Sequence, residues 1–470
     1  MKRKLVNFYF FSAIVNSLMF LYSYYLDFQF DIVLAIFISF ISISTIVFHI
    51  LLFEKNLFSI INIFNGFSIL FLYGNVINYI LFDIDTFYIY YLMGGVNIPP
   101  KYFISSLFLI NVGLSIINLI YITFKKSNNE TLIPTNKIPK DIMFIFIVFS
   151  FFASIKFFLE LKYIYSIGYV NFYVNGLADL NYYSPIIEYS HTFLSAFYGI
   201  ILSYIPKKKI YIFISVIYCL LMMLNSLKGA RVLFLLPFLF SLWFYFKYYS
   251  RIFLSGNTFR ITTVSIFLII GFNFLKSLRL NEESSILNIS DLPSLILEET
   301  ASTQKLVALY LYRKDDIKSN YPFVLEPILF PFYYYYNYDI YKAGQSKSLA
   351  ETRNSLNHKF SYLINPSYYS KGNAIGSSMM AESFQYGLIY FYLIMIIFSS
   401  FLIFMENFRY DSKYIVFLPT LFNTAVFASR DSPFPNTWGL LKLAVLLILI
   451  YLIRYILKYK SNSNFAKKIN

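Results

Sequence analysis

Apolar runs of about 20 residues recur along the whole chain and limit what it can fold into. A helix of about 20 apolar residues is long enough to cross a hydrocarbon core of about 30 Å. The composition agrees, because 58% of the 470 residues are hydrophobic and only 13% are charged. The runs are continuous and lack the two-residue alternation of β-barrel strands. The sequence therefore predicts an all-α polytopic membrane protein and excludes soluble, secreted and disordered classes.

Charged residues and clusters of Pro, Gly and Asn divide the sequence into twelve predicted spans. They lie at residues 5–25, 31–53, 57–82, 102–124, 141–160, 186–205, 210–227, 231–249, 261–276, 384–405, 414–428 and 438–457. With a cytoplasmic amino terminus, the termini and short loops on that side hold twenty-one Lys and Arg residues. The short loops on the other side hold Lys101, Lys162, Lys228, Arg231 and Arg430. This positive-inside pattern predicts that both termini are cytoplasmic.

One connection is far longer than the others. Residues 277–375 separate the ninth and tenth predicted spans inside a single membrane domain, residues 1–470. The topology places this large loop outside, and its length predicts short helices on or near the outer membrane surface. Tyr333–Tyr336 suit an interfacial aromatic belt, although aromatic faces also stack on sugars.

Several classes of site are excluded by what the chain lacks. Its one cysteine, Cys219, rules out intramolecular disulfides and cysteine-based metal cages. The three histidines are not at zinc spacing, and no phosphate-binding loop is present, so we expect neither a metal nor a cofactor. Asp83 and Asp85 resemble a metal-binding acidic pair but are more typical of a negative outer loop. The net charge of +15 reflects cations at membrane edges, so no nucleic-acid partner is expected.

Cations at outer span ends form the first group of candidate site residues, because charge near apolar depth is costly. Lys228 and Arg231 lie in a tight turn between the seventh and eighth spans, and Lys276 and Arg279 share a helical face after the ninth. Arg430 lies between the last two spans. Arginine suits bidentate phosphate contacts, which predicts a diphosphate-binding set. The alternative is that these side chains only anchor the helices at the interface.

Three titratable groups are candidates for accepting a proton. Glu382 follows a glycine-containing approach and precedes an apolar helix, where partial desolvation would raise its pKa and suit a general base. The alternative is a carboxylate that stabilises a helix start. His358 is the sole histidine of the large loop, and Asp431 adjoins Arg430, with which it could form a local ion pair.

Four short motifs, KGAR, LKSLR, GNAIGSSMMAESFQYG and FASRDSP, carry a resemblance to a known family. With the twelve-span plan and one large outer loop, the chain resembles the Wzy family of oligosaccharide repeat-unit polymerases over nearly its whole length. The resemblance implies a GT-C-like membrane glycosyltransferase. The spaced arginine-to-glycine motifs of some members are not found at Arg279, Arg313 or Arg353, so a two-loop capture mechanism is not carried over.

The resemblance implies transfer of a growing glycan from undecaprenyl diphosphate onto a new lipid-linked repeat unit, at the outer face of the bacterial inner membrane. The leaving lipid diphosphate would be stabilised by the outer arginines, and Glu382, His358 or Asp431 would deprotonate the acceptor hydroxyl. Expected partners are the lipid-linked oligosaccharide, the bilayer, a chain-length regulator and a flippase.

Three other functions stay open from the sequence. An O-antigen ligase would share the donor and the large loop and differ in its acceptor. A lipid-linked oligosaccharide flippase would place cations deep in a central cavity, and a non-catalytic assembly partner would leave the arginines unexplained. The sequence does not identify the sugars, the linkage, the stereochemical outcome or the kind of surface polymer.

Overall fold

The chain forms a bundle of helices in a computed structural model. The structure describes residues 2–53, 58–82, 89–90, 96–125, 137–168, 184–228, 232–249, 294, 297, 300–342, 345–407, 413–435, 437–450 and 452.

The helices are numbered here in chain order. The first eight are α1 (Lys2–Tyr25), α2 (Ile32–Phe48), α3 (Ile60–Phe82), α4 (Pro100–Phe124), α5 (Lys140–Ile167), α6 (Pro185–Ser203), α7 (Lys208–Ser226) and α8 (Val232–Tyr248). The middle seven are α9 (Ser302–Arg313), α10 (Glu326–Tyr336), α11 (Tyr338–Lys342), α12 (Lys347–Thr352), α13 (Leu356–Ile364), α14 (Pro366–Ser370) and α15 (Met379–Ser383). The last three are α16 (Leu388–Glu406), α17 (Leu418–Phe427) and α18 (Thr437–Ile450). A π-helical turn, His49–Phe53, extends α2, and two short antiparallel strands, Ile89–Tyr90 and Val96–Asn97, precede α4.

The predicted all-helical membrane fold is confirmed. Among the described residues, seven helices are long and apolar enough to cross a membrane, namely α1, α2, α3, α4, α5, α7 and α16. Three shorter apolar helices, Val232–Tyr248, Ile415–Arg430 and Thr437–Ile450, also coincide with predicted spans. The ninth predicted span, residues 261–276, lies outside the described residues, so the count of twelve stays a prediction.

Helix starts in the bundle use ordinary capping chemistry. The Asp31 side chain accepts a hydrogen bond from the Val33 amide at 3.0 Å, and Ser184 accepts one from Ile186 at 3.2 Å. Pro185 occupies the first turn of α6, where its missing N–H would have no partner in the helix. These caps fix where α2 and α6 begin.

Helix α4 is the central helix of the bundle and packs against α1, α2, α9 and α16. Its buried faces carry polar side chains as well as apolar ones. Asn111 accepts a hydrogen bond from the Tyr73 hydroxyl at 2.5 Å and donates one to Asn16 at 3.0 Å. Asn118 and Asn65 exchange hydrogen bonds at 2.9 and 3.2 Å. Such bonds hold helices together in a bilayer, where apolar contact alone gives little preference for helix over lipid.

The described part of the large loop contains short helices, as predicted, but the first of those described, α9, does not lie on a surface. Helix α9 is buried from Ser302 to Leu311 and packs against α3 and α4. Its Gln304 amide donates to the Ser106 hydroxyl and accepts from Asn75, each at 2.9 Å. These bonds satisfy the hydrogen-bonding groups of the Gln304 side chain, which allows α9 to be buried. We call the end of the bundle where α3 ends and α4 begins the loop side.

Candidate functional site

Segments distant in sequence meet on the loop side around an ion pair. Arg353, which follows α12, donates from Nε to Oε1 of Glu326 at 2.7 Å, and Glu326 is the first residue of α10. The guanidinium also lies over the ring of Phe330, 4.8 Å from its centroid. Glu326 is buried and Arg353 is partly buried, so this pair is less screened by water than a surface pair. It ties α12 to α10.

His358 also belongs to this cluster, and both of its ring nitrogens form hydrogen bonds within it. Nη1 of Arg353 lies 2.9 Å from Nε2 of His358, and because a guanidinium can only donate, Nε2 must accept. Nδ1 then carries the proton and donates to the Tyr369 hydroxyl at 2.7 Å. Burial and the neighbouring Arg353 charge lower the pKa of His358 to about 3. The imidazole is therefore neutral and holds Arg353 in place.

Glu382 lies in α15, which is buried throughout. Its Oε1 accepts a hydrogen bond from the Ser377 hydroxyl at 2.6 Å, and its Oε2 makes no hydrogen bond to the part of the chain that the structure describes. Burial raises the pKa of Glu382 to about 8, and the Asp431 charge adds to that rise, while the Ser377 and Ser432 hydroxyls oppose it. This agrees with the raised pKa predicted from the sequence. Glu382 is mainly protonated at neutral pH.

A hydrogen bond holds the Arg430–Asp431 segment next to α15. Ser378 caps α15 and donates from its hydroxyl to the Ser429 carbonyl at 2.9 Å. Asp431 is exposed to solvent, yet protein surrounds it closely enough that desolvation raises its pKa. Glu326 raises it further, whereas the bond from the Ser432 amide and the charges of Arg353 and Arg430 lower it. Asp431 therefore lies in a recess of the protein surface that is open to water.

Arg430 is partly buried and lies over the ring of Phe71, with 5.3 Å between its guanidinium carbon and the ring centroid. Phe71 belongs to α3, so the guanidinium is directed towards the bundle. The structure thus brings together four of the predicted site residues, Arg430, Asp431, Glu382 and His358.

Lys228 lies in a different part of the molecule. Its ammonium forms an ion pair with Glu160, whose side chain is 1% exposed, and Lys156 lies 3.8 Å from the same carboxylate. Its charge is thus already partly balanced. Arg231, Lys276, Arg279, Asp83 and Asp85 lie outside the described residues.

Sequence reasoning missed Glu326 and Arg353 as site residues. Arg353 matches no spaced motif, and its carboxylate partner is 27 residues away. No local pattern marks such a pair, because it forms only when α10 and α12 pack together. The one usable signal was Glu326 itself, an acidic residue directly before a proline and an apolar segment.

Among the described residues, no group of three or more His, Cys, Asp or Glu side chains could hold a metal ion. What the site does offer is two guanidinium groups beside two carboxyl groups of raised pKa. Such an arrangement can bind an anion and exchange a proton with a neighbouring hydroxyl.

An apolar groove adjoins this site. It has a volume of about 1080 Å³ and is lined by α10, α16, α17 and α18, with Tyr334, Tyr335 and Trp438 among its walls. Tyr334 and Trp438 are in contact, with 5.8 Å between ring centroids. The Thr437 hydroxyl lies within hydrogen-bonding distance of the Pro327 and Ile328 carbonyls, at 3.1 and 2.7 Å, which holds α18 against α10.

Comparison with known proteins gives one match. A family model described as O-antigen polysaccharide polymerase Wzy matches residues 8–460. No curated protein and no solved structure matches the sequence. The family inferred from the four motifs and the large loop is therefore confirmed over nearly the whole chain.

Proposed function

Because this chain belongs to the O-antigen polysaccharide polymerase Wzy family, it polymerises O-antigen repeat units, and we propose that its loop-side cluster is the site of that reaction. The observation that carries the proposal is the meeting of Arg353, Arg430, Glu382 and Asp431 from three separate segments. These groups are suited to the two tasks of glycosyl transfer from a lipid diphosphate, namely stabilising the departing anion and accepting a proton.

The proposed donor is a glycan linked to undecaprenyl diphosphate. A hydroxyl of the acceptor sugar attacks the anomeric carbon of the donor, the new glycosidic bond forms, and the bond from that carbon to the diphosphate oxygen breaks. Negative charge grows on the departing diphosphate. Arg430 and Arg353 stabilise that charge, because preorganised cations aimed at a developing anion lower the barrier without reorganising. Arg231, Arg279 and Lys276 remain proposed members of the same diphosphate-binding set, whereas Lys228 is left out of it because it pairs with Glu160 elsewhere in the molecule.

The acceptor hydroxyl must also lose its proton. We assign this proton to the Glu382–Asp431 pair, in which Asp431 offers an accessible oxygen and the ionised fraction of Glu382 is the stronger base. A carboxylate with a pKa of about 8 accepts a proton more readily than an ordinary carboxylate, and a base is most effective when its pKa is near the working pH. His358 then acts through Arg353 as a positioning residue, because both of its ring nitrogens are occupied.

The proposed setting is the bacterial inner membrane, with both termini in the cytoplasm and the loop side facing outward. We further propose the twelve-span, GT-C-like architecture that the sequence predicts. The bilayer and the lipid-linked oligosaccharide are the immediate partners, with a chain-length regulator and a flippase as further ones. No cofactor is required by these steps, since the energy of transfer comes from the diphosphate bond of the donor.

The phenotype of a deletion strain distinguishes a polymerase from a ligase and from a flippase. Loss of a polymerase leaves lipid A core that carries a single repeat unit, whereas loss of a ligase or a flippase leaves no capped core. We expect the single-unit product, with polymer restored by the intact gene. Uncapped core in the deletion strain would instead support the ligase or the flippase.

A further inference from the structure

We propose that the groove between α10, α16, α17 and α18 holds the polyprenyl chain of the lipid-linked substrate while its diphosphate lies at the arginine cluster. This inference rests on the proposed function, since it assigns a place to the lipid part of that substrate. The groove is walled mainly by apolar and aromatic side chains, and about 1080 Å³ is at the upper end of the volumes of ordinary ligand pockets.

The groove and the polar site share one helix. Ile328 and Pro331 line the groove, while Phe330 between them carries the Arg353 guanidinium on its ring. Two residues before Ile328, Glu326 forms the ion pair with Arg353. A molecule with a hydrocarbon chain in the groove and an anion at its end would therefore place that anion beside the cations of the site.

The groove follows the first half of α18. Its lining includes Thr437 and Ala444, which lie seven residues apart on α18, or about 10 Å along the helix axis at 1.5 Å per residue. Tyr335 and Tyr336 line the groove and are about 80% exposed, which suits residues at the interface of a bilayer. The groove thus extends from an aromatic rim along about two turns of α18.

We expect the groove to select substrates by the length of their lipid chain, through packing contacts. A lipid chain entering the groove moves from one apolar medium to another, so the hydrophobic effect contributes little and close contact decides. A chain long enough to fill the groove makes more contacts than a short one. We therefore expect a preference of about tenfold for a long polyprenyl diphosphate over a ten-carbon one.

Trp438 reports on occupancy of the groove directly. The chain has two tryptophans, so Trp243→Phe leaves Trp438 as the sole one. The full-length variant in detergent micelles is titrated with a polyprenyl diphosphate that carries a nitroxide quencher in its chain. We expect saturable quenching that unlabelled undecaprenyl diphosphate reverses about tenfold more effectively than geranyl diphosphate or phosphatidylglycerol.

Filling the groove should remove this binding. Ala444 lines it, whereas Ile448, one turn further along α18, is exposed outside its lining. In the same background, Ala444→Phe should weaken binding about tenfold and Ile448→Phe should leave it unchanged. Leu441→Phe, at an exposed position of the groove wall, provides a second filling variant if Ala444→Phe does not fold.

Three results would overturn the groove assignment: quenching that does not saturate, equal competition by phosphatidylglycerol, or full binding in both filling variants. A parallel polymerisation assay with lipid-linked repeat units keeps the two proposals apart. Polymer formation without specific quenching contradicts the groove alone. Specific quenching without polymer formation contradicts the proposed function and supports the groove as a lipid site.

Discussion

At the scale of single residues, the site depends on how two carboxyl groups differ in their surroundings. Glu382 is buried and Asp431 is exposed, yet protein around each raises its pKa above the ordinary value. The Asp431 charge contributes to the raised pKa of Glu382, and the Glu326 charge contributes to that of Asp431. A pair of this kind can hold one proton near neutral pH and take up another from a substrate hydroxyl.

Glu382→Gln should fold normally and be nearly inactive. Removal of a general base commonly lowers the rate by about 10² to 10⁴, whereas loss of a carboxylate that only stabilises a helix start costs about 0.3 to 1 kcal/mol of stability. The measurement is polymer formed per unit of purified protein from lipid-linked repeat units. Activity within about threefold of wild type would move the role to Asp431 or to no base.

The raised pKa of Glu382 also predicts how stability depends on pH. Its ordinary value is 4.5 and its folded value about 8, so the folded state holds the proton more tightly. The resulting stabilisation is complete below pH 4.5 and is lost as pH rises through about 8. The thermal midpoint of the wild type should therefore fall across this window more than that of Glu382→Gln. Parallel curves for the two proteins would contradict a raised pKa at this residue.

Arginine-to-lysine substitution separates phosphate binding from anchoring at Arg231, Arg279 and Arg430. Lysine keeps the charge and still reaches the interface, but it lacks the planar fork that binds two phosphate oxygens. We expect a large loss of polymerisation in each variant at equal protein levels. Normal polymer from all three would show that these residues are interface anchors.

At the scale of elements, the position of α9 within the bundle is what shapes the loop side. Gly74 of α3 makes this possible, because a Cβ built at Gly74 would lie 2.9 Å from the Ala301 Cβ and 3.1 Å from the Leu297 carbonyl oxygen. Asn75 then donates to the Ala301 carbonyl at 3.0 Å and fixes the start of α9. A close approach of two backbones therefore determines where the large loop enters the bundle.

Gly74→Leu should displace α9 and destabilise the protein. The added side chain meets backbone that cannot move aside, and overpacking of this kind costs about 1 to 3 kcal/mol. Gly66→Leu, in the same helix, is the matched control, because a Cβ there meets nothing within 4 Å. Both substitutions raise helix propensity, so a difference in thermal midpoint isolates the clash. Equal midpoints would show that α9 does not pack at Gly74.

At the scale of the whole molecule, the arrangement of charges predicts an orientation. Lys and Arg are concentrated in alternate short loops and at the termini, and the proposed site lies on the opposite face. The reaction can use an exported substrate only if the loop side faces outward. The orientation therefore connects the charge pattern of the sequence to the proposed site.

Cysteine labelling tests this orientation. In a background without Cys219, single cysteines at Asn320 and Gln345 should react with an impermeant thiol reagent in intact spheroplasts, and one at Asn128 should not. Residues 320 and 345 belong to the large loop, whereas 128 lies in a Lys-containing connection predicted to be cytoplasmic. Labelling at position 128 alone would invert the topology and place the proposed site on the wrong side.

The sequence by itself determined the helical membrane class, most helix positions and four members of the cluster. Helices were predictable because each apolar run is a local feature whose length alone suits a bilayer. Arg430, Asp431, Glu382 and His358 were recognisable because polar groups beside apolar spans are costly and therefore informative. Their local settings were enough to identify them as candidates.

Only the tertiary structure decided which of these residues are in contact and which of their polar groups are already bound to other residues. The Glu326–Arg353 pair, the engagement of His358 by Arg353 and the pairing of Lys228 with Glu160 all join residues far apart in the chain. The burial of α9 similarly depends on Gln304 finding Ser106 and Asn75. Local sequence cannot specify such contacts, because they arise only when separate helices pack together and leave each buried polar group a partner.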